Sequence, residues 1–518
     1  MSVPAKVDGV TSLRATSPRL ILVAPGMKLR DLLVGAEPTQ PIGNADCEIT
    51  SLAYSTRKVS AGALFFAIRG EKTDGNRFVS DAIERGARAI ASEHPRLQDL
   101  PSTVDWIQVA DARKGLASAA ANFYGLPAQA LKLVGVTGTN GKTTTTYLID
   151  SILRAAGHGT GLFGTIAYRT PRGSRVATNT TPESLDLQSF LAEVRDAGGT
   201  HAVLEASSHA LAMDRLWGCP FAAAVFTNLT RDHLDYHKTF EDYFAAKRRL
   251  FEGTGAGAPA VGIINADDPY AERLTGLAAR TLAYGLENGA DVTAKRFTLA
   301  FSGLEFTAHT PAGKLEVCSR LVGRINVYNL LAAIAGGIGM GIKREHIEAG
   351  IRQLESVPGR FERIDLGQPY LVVVDYAHTD DALRNLIATA RELNSTGRII
   401  TLFGCGGDRD RAKRPLMGEV AGSASDAVVL TSDNPRSEDP LRIINDVLVG
   451  LQKTKAQYVV EPDRCVAVER ALDQARPGDI VLLAGKGHET YQVLQERTID
   501  FDDREVARRS LRQRGFGA

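Results

Sequence analysis

The run Gly138-Thr139-Asn140-Gly141-Lys142-Thr143-Thr144 constrains this chain more than any other stretch. It follows an apolar segment, Leu131 to Val136, that reads as a buried strand. A helical pattern with Leu148, Ile149, Ile152 and Leu153 on one side comes after it and closes near Gly157. Strand, glycine loop, Lys-Thr and helix together cradle nucleotide phosphates. The glycines let backbone N–H groups turn inward, the lysine reaches the β/γ-phosphates, and the threonine hydroxyl meets Mg²⁺. The spacing departs from the strict Walker pattern, which places glycine where Val136 stands. A bare Gly-Lys-Thr can be no more than a loop before a helix; the strand-to-helix setting is what favours phosphate binding. The Lys142 side chain is expected to project into a solvated site.

At 518 residues the chain exceeds what one core supports, and about three domains are expected. With 61 basic and 60 acidic side chains the formal net charge is +1, which gives no case for a nucleic-acid partner. Arg409, Arg411, Lys413 and Arg414 form one local basic cluster, and Lys247, Arg248 and Arg249 another; such short runs read by default as solvated faces. The five cysteines, Cys47, Cys219, Cys318, Cys405 and Cys465, lie far apart without metal-ligand spacing, which points to a reduced compartment. No basic start with a long apolar core marks a signal peptide, and the longest apolar stretch, Leu330 to Ile342, is too short for a membrane span. A cytoplasmic, monomeric protein without a membrane span is expected.

Residues 1–25 read as a loosely ordered extension. A mixed α/β domain is expected over 26–125, with a strand at 62–68 and a helix at 78–85. A second domain, 126–356, holds the glycine loop and strand-like runs at 202–204, 222–226 and 261–264. A third, 357–518, carries runs at 371–374, 399–403, 427–430 and 480–483 interleaved with helical patterns. Apolar strands alternating with helices predict an α/β chain with largely parallel sheets covered on both faces. Ligands gather beyond the carboxyl ends of such strands. Those ends carry Gly138–Thr144, Glu205-Ala206-Ser207-Ser208-His209, Thr227-Asn228, Asp375-Tyr376-Ala377-His378, Gly404 to Arg409, Ser432 to Arg436, and Gly485-Lys486-Gly487-His488-Glu489. Glu205 and His209 follow one strand, and Asp232, His233, Asp235 and His237 another. Near a triphosphate, carboxylates and imidazoles act as Mg²⁺ or Mn²⁺ ligands or as polar anchors. Taken singly, each histidine is more often a helix-end or hydrogen-bonding residue.

These motifs together resemble the ATP-dependent Mur ligase family. Gly138–Thr144 is similar to its phosphate loop, Thr227 to His237 to its central signature, and Gly323 to Asn329 to its adenine-side segment. Within the family the likeness is to the branch that adds the third stem-peptide residue. It rests on Asn179-Thr180-Thr181-Pro182, Glu205 to His209, Tyr243 to Lys247, Gly404 to Pro415, Asp433-Asn434-Pro435-Arg436 and Gly485 to Glu489, and runs from about Thr50 to Arg504.

The resemblance implies three domains: an N-terminal uridine-nucleotide domain, a central P-loop ATPase-like domain and a C-terminal Rossmann-like domain. It implies ATP-dependent addition of meso-2,6-diaminopimelate to UDP-N-acetylmuramoyl-L-alanyl-D-glutamate through an acyl phosphate, with Mg²⁺. Residue by residue, it implies that Gly138 to Thr144 hold ATP, with Lys142 on the phosphates, Asn329 on the adenine side and Asp375 on the ribose side. Thr143, Glu205, His233 and a carbamylated Lys247 are implied as metal ligands, and Lys142, Lys247 and His233 as catalytic. Tyr54, Thr56, Glu71, Lys72 and Thr73 fall on the uridine side, and Asn179, Thr180, Thr181, Ser207 and Arg215 on the muramoyl-dipeptide. Arg409, Asp433, Asn434, Pro435, Arg436, Gly485 and Glu489 fall where diaminopimelate is held. Asp433 and Glu489 are expected to balance its distal ammonium group, and Arg436 with Arg409 its distal carboxylate.

Two positions depart from the family pattern. Ser55-Thr56-Arg57 stands where Asp-Ser-Arg is common, and Met213 where a glutamine often contacts the substrate; a thioether cannot donate that hydrogen bond, so Met213 reads as packing. From the sequence alone Lys247 reads as an ordinary surface lysine; only the resemblance reverses this. The alternatives are the same ligase using L-lysine, a folylpolyglutamate synthetase-like ligase, and a nucleotide-regulated scaffold without turnover.

Overall fold

A computed structural model describes residues 26–70, 73–287 and 289–517. The expected extension over 1–25, together with Glu71 and Lys72, lies outside the described residues. The chain divides into two compact units, Met1–Phe123 and Tyr124–Ala518.

In the first unit four parallel strands, Ser51–Ala53, Ala63–Phe66, Ala87–Ser92 and Asp105–Gln108, pair in chain order. Phe65, Ile90, Val79 and Ala82 are fully buried beside this sheet. The strand expected at 62–68 is shorter, Ala63–Phe66. The helix expected at 78–85 opens earlier, as a 3₁₀ turn Gly75–Phe78 capped by Asp74, whose Oδ1 accepts from Asn76 N at 2.9 Å. It continues as Val79–Glu84.

The second unit holds two large sheets. The eleven-stranded sheet has a parallel centre in the spatial order Thr160–Phe163, His201–Glu205, Lys132–Thr137, Phe221–Phe226, Val261–Asn265 and Arg280–Gly285. Strands paired on both sides and covered on both faces have no solvent face, which is why they read as continuous apolar runs. Helices Lys142–Ala155 and Arg324–Gly339 pack on this sheet, with Ile149, Ile152, Leu330 and Ile334 in one core with Val134 and Val203. Truncating one such side chain to alanine costs about 2–5 kcal/mol.

The sheet continues through Val292–Ala300, Gly303–Thr310 and Gly313–Ser319, an antiparallel extension absent from the sequence reading. Its strands bury one face and expose the other, so polar residues interrupt the apolar pattern.

The six-stranded sheet runs Glu362–Ile364, Leu371–Asp375, Ile480–Ala484, Ile399–Phe403, Ala427–Leu430 and Gln457–Val460. All pairs are parallel except the first. In both sheets the polar and glycine motifs follow the carboxyl ends of parallel strands. Among the described residues no helix is long and apolar enough to cross a membrane.

Candidate active site

A cavity of about 230 Å³ opens at these strand ends, lined by the glycine loop, Glu205, His233, Lys247, Asn329, Arg360 and Asp375 among others. The loop leaves the strand Lys132–Thr137 and enters the helix Lys142–Ala155. Gly138 has φ +143°, and a Cβ there would stand 1.8 Å from Thr227 Oγ1. Gly141 has φ +86°, and its Cβ would meet Asn329 Oδ1 at 2.4 Å. Only glycine satisfies both the backbone and the space at these two turns. The partner segment Thr227–Thr230 holds the loop open: Asn228 O accepts from Thr139 N at 2.8 Å and Asn228 Oδ1 from Asn140 N at 2.9 Å. Thr227 Oγ1 donates to Asn140 O at 2.6 Å. No side chain caps the helix start at Gly141, so its first N–H groups and the positive end of its dipole face the cavity.

Lys142 does not project into solvent as expected. Its Nζ folds back and donates to Gly138 O at 3.0 Å and Thr139 O at 2.8 Å. Lys247 donates to the same Gly138 carbonyl at 2.8 Å. The surface reading of Lys247 is therefore corrected: the side chain is 2% exposed. Helix Phe240–Glu252, capped by Thr239, turns Tyr243 and Lys247 onto one face, and the Lys247 amine sits 4.1 Å from the Tyr243 ring centre. Burial, and then the nearby Lys142 charge, push the Lys247 amine well below the ordinary lysine range despite Asp232.

Glu205 is buried, its two oxygens accepting from Thr165 N at 2.9 Å and Thr165 Oγ1 at 3.0 Å. His233 adopts φ +53° and places Nε2 3.3 Å from Asp232 Oδ2. Burial, His209 and the two lysines hold it below the usual histidine range against the pull of Asp232. Asp375 accepts from Phe361 N and Ala377 N at 2.7 and 2.8 Å. Asn329 is committed to the loop side, bonding Asn326 Oδ1 at 2.9 Å and Thr145 Oγ1 at 3.4 Å.

Sequence reasoning missed two members. Arg360 donates to Thr143 Oγ1 at 3.1 Å and lies 4.8 Å from the Tyr376 ring centre. It sits in Val357-Pro358-Gly359-Arg360, which marked only a domain start in the sequence. Asp381 Oδ2 accepts from Asn140 Nδ2 at 2.7 Å and Thr230 Oγ1 at 3.1 Å, joining the glycine loop to the second sheet's first crossover helix, Asp380–Leu393.

Beside the cavity, Thr181 Oγ1 donates to Glu205 O at 2.6 Å and lies 3.1 Å from Ser207 Oγ, while Arg215 Nη1 donates to Thr181 O at 3.1 Å. Arg215 is also paired with Glu183 at 2.9 Å. Thr180 Oγ1 lies 3.2 Å from Thr165 Oγ1, and Asn179 N donates to the Tyr168 hydroxyl at 3.0 Å. The half-buried Met213 accepts a 3.7 Å contact from Arg215 Nη2 through its sulfur. In the first unit, Thr56 opens the 3₁₀ turn Thr56–Lys58, Lys58 Nζ lies 5.4 Å from the Tyr54 ring centre, and Thr73 O accepts from Gly70 N at 2.8 Å.

A second cluster stands at the carboxyl ends of Ile399–Phe403, Ala427–Leu430 and Ile480–Ala484. Arg436, at φ +52°, donates to Gly407 O at 2.8 Å, and the exposed Arg409 donates to Asp408 O at 3.0 Å. Asp433, Asn434 and Pro435 are buried beneath them, next to Gly485. The solvated-face reading of the basic cluster is corrected at Arg414, which is fully buried and bonded to Glu438 at 2.8 Å and Asp446 at 2.9 Å. Its Nη2 also donates to Gly406 O at 3.2 Å, bracing this loop against 436–438. Lys486 stands between Asp433 and Glu489, 3.4 and 3.2 Å from their oxygens. The two carboxylates therefore share a single cation of the chain.

A family model described as Mur ligase middle domain matches residues 136–337. One described as Mur ligase, glutamate ligase domain matches 359–487, and one described as Mur ligase family, catalytic domain matches 48–124. A UDP-N-acetylmuramoyl-L-alanyl-D-glutamate–2,6-diaminopimelate ligase of Solibacter usitatus is 55% identical over 95% of this chain and 99% of its own length. A solved structure of a UDP-N-acetylmuramoyl-L-alanyl-D-glutamate–2,6-diaminopimelate ligase superposes with TM-score 0.65 at 33% identity, covering 95% of this chain and 99% of the other. The folylpolyglutamate synthase of Mycobacterium tuberculosis shares the fold alone, at TM-score 0.59 and 17% identity, covering 71% of this chain and 91% of the other. With three Mur ligase models matched along its length and a relative 55% identical over nearly the whole of both chains, the chain belongs to the Mur ligase family.

Proposed function

We propose that this chain is an ATP-dependent ligase that joins meso-2,6-diaminopimelate to UDP-N-acetylmuramoyl-L-alanyl-D-glutamate in cytoplasmic peptidoglycan precursor synthesis, with 26–125, 126–356 and 357–518 as its working domains. The 55% likeness to the Solibacter ligase over nearly the whole of both chains carries the reading. ATP fits the residues present. The uncapped helix start and the two glycine turns offer backbone N–H groups to the phosphates, and Val322, Ile325 and Leu386 give the cavity an apolar end for the adenine beside Asn329. Asp375 faces the same cavity and suits the ribose.

Thr143 would hold Mg²⁺ at the phosphates, and Glu205, His233 and a carbamylated Lys247 would hold a second ion; both would supply charge neutralisation there.

A carboxylate acylates poorly, so the D-glutamyl oxygen first attacks the γ-phosphorus, forming the acyl phosphate and releasing ADP. The amine then attacks the acyl carbon, and phosphate leaves with the C–O bond pair while the amine gives up a proton. Lys142, and Arg360 next to Thr143, face the charge that shifts during transfer. Thr180, Thr181, Ser207 and Arg215 hold the dipeptide end, and Tyr54, Thr56 and Thr73 serve the uridine. Arg409, Asn434, Arg436 and Glu489 hold the amino acid.

Two ammonium groups on one carbonyl repel, and burial removes the water that would relieve them. Both effects disfavour the charged form of Lys247 and so favour the free amine, which adds CO₂ by forming an N–C bond and losing a proton to give a carbamate. Lys247→Ala should be nearly inactive, with part of the rate restored by short carboxylic acids. Intact mass and ¹³CO₂ labelling read the modification directly; a fully active Lys247→Ala would remove its catalytic role. Product analysis with ATP, the UDP-muramoyl-dipeptide and diaminopimelate, L-lysine or a folate tests the whole reading. ADP and tripeptide are expected; their absence sinks it.

A further inference from the structure

The Lys486 side chain is fully buried just beyond the strand Ile480–Ala484. Its ammonium donates to Tyr491 O at 2.7 Å, Asn434 Oδ1 at 3.1 Å and Glu489 Oε2 at 3.2 Å, and lies 3.4 Å from Asp433 Oδ1. Asn434 is locked by the same network: its Oδ1 accepts from Val493 N at 2.9 Å and its Nδ2 donates to Glu489 Oε2 at 2.8 Å. Asp433 Oδ1 is buried and receives no hydrogen bond among the described residues. A further buried cation, Arg464, is matched by Asp503 at 2.7 Å and donates to Ala484 O. With Lys486 in place the Asp433–Glu489 pair carries one net negative charge. Without it, two carboxylates would share one buried pocket.

We propose that Lys486 is a specificity-determining residue for the amino acid, because it leaves the carboxylate pair too weakly negative to hold a substrate by its distal ammonium group alone. The inference rests on the reading of this cluster as the amino-acid site. An amino acid bearing both an ammonium and a carboxylate at its far end gains from Arg436 as well as from the pair. One bearing only the ammonium meets a half-neutralised pair and leaves the guanidinium without its anion. Removing the Lys486 charge would strengthen the pull on any distal ammonium, and the carboxylate would matter less.

The test compares kcat/KM for meso-diaminopimelate and L-lysine in wild type, Lys486→Met, Lys486→Gln and Lys486→Arg, with thermal unfolding to select folded variants. In Lys486→Met or Lys486→Gln the diaminopimelate-to-lysine ratio should fall about tenfold or more, with the KM for ATP within about twofold of wild type. Lys486→Arg should keep the wild-type ratio. A purely structural role would lower both rates together; an unchanged ratio in either folded neutral variant, or a ratio lost equally in Lys486→Arg, overturns the proposal. The wild type is measured first: failure to use either amino acid counts against the underlying reading, whereas an unchanged ratio counts against Lys486 itself.

Discussion

The two strand-end clusters of the second unit handle charge in opposite ways. Around the glycine loop, Lys142 and Lys247 rest on backbone carbonyl oxygens, and Glu205 takes its hydrogen bonds from Thr165. Lys142 is held there by carbonyl oxygens, with Glu205 and Asp232 acting on it only through space. In the second cluster Lys486 meets Asp433 and Glu489, Arg414 meets Glu438 and Asp446, and Arg464 meets Asp503. That site is internally compensated. The first suits a polyanion that arrives and leaves changed; the second suits a zwitterion that must be told apart from its near relatives.

Four variants break or sharpen the contrast. Lys142→Ala removes a cation held at the phosphate loop by carbonyl oxygens, so kcat should drop by about three orders of magnitude or more while the unfolding midpoint stays near wild type. Near-normal ligation by the folded variant would end this account of the loop. Asp503→Ala strikes the compensated side. It strands Arg464, fully buried, and should cost about 3–5 kcal/mol in denaturant unfolding; a loss below about 1 kcal/mol would mean that the arginine finds water or another partner.

Arg436→Ala should reduce discrimination against L-lysine by roughly tenfold to a hundredfold, read as the ratio of kcat/KM values. Unchanged discrimination would leave Arg436 with only its loop contact to Gly407. Thr379→Ala is the mildest. It deletes the N-cap of helix Asp380–Leu393, where Thr379 Oγ1 accepts from Ala382 N at 3.2 Å, and should cost about 1 kcal/mol with little change in KM for either amino acid.

Much of this layout was legible before any coordinates. Buried parallel strands such as Lys132–Thr137 and Ile480–Ala484 announce themselves as apolar runs, and each is followed by the motif it positions. The extension Val292–Ser319 was not legible, because half-exposed strands with charged outward positions, Lys295 and Arg296 among them, look like loop. Chemistry carried by a local motif, such as Gly138–Thr144, survives reading along the chain. Chemistry made by long-range juxtaposition does not: nothing near Arg360 in sequence announces Thr143, and nothing near Lys247 announces that Lys142 shares its carbonyl. Burial is the other blind spot. Lys247, Arg414 and Lys486 look like surface residues on any composition argument, and each is almost wholly enclosed.

The Asp381 carboxylate reaches back 241 positions to Asn140 and 151 to Thr230, tying residues that no short exchange of sequence can move together. A chimera that takes its last third from a relative inherits position 381 from one parent and positions 140 and 230 from the other. Such hybrids would have to be judged by whether these three were drawn from compatible parents, since a mismatch would loosen the glycine loop even where every motif is intact. Recombination at this seam is therefore a question of inherited triplets, and a breeder of variants would keep Asn140, Thr230 and Asp381 as a single allele.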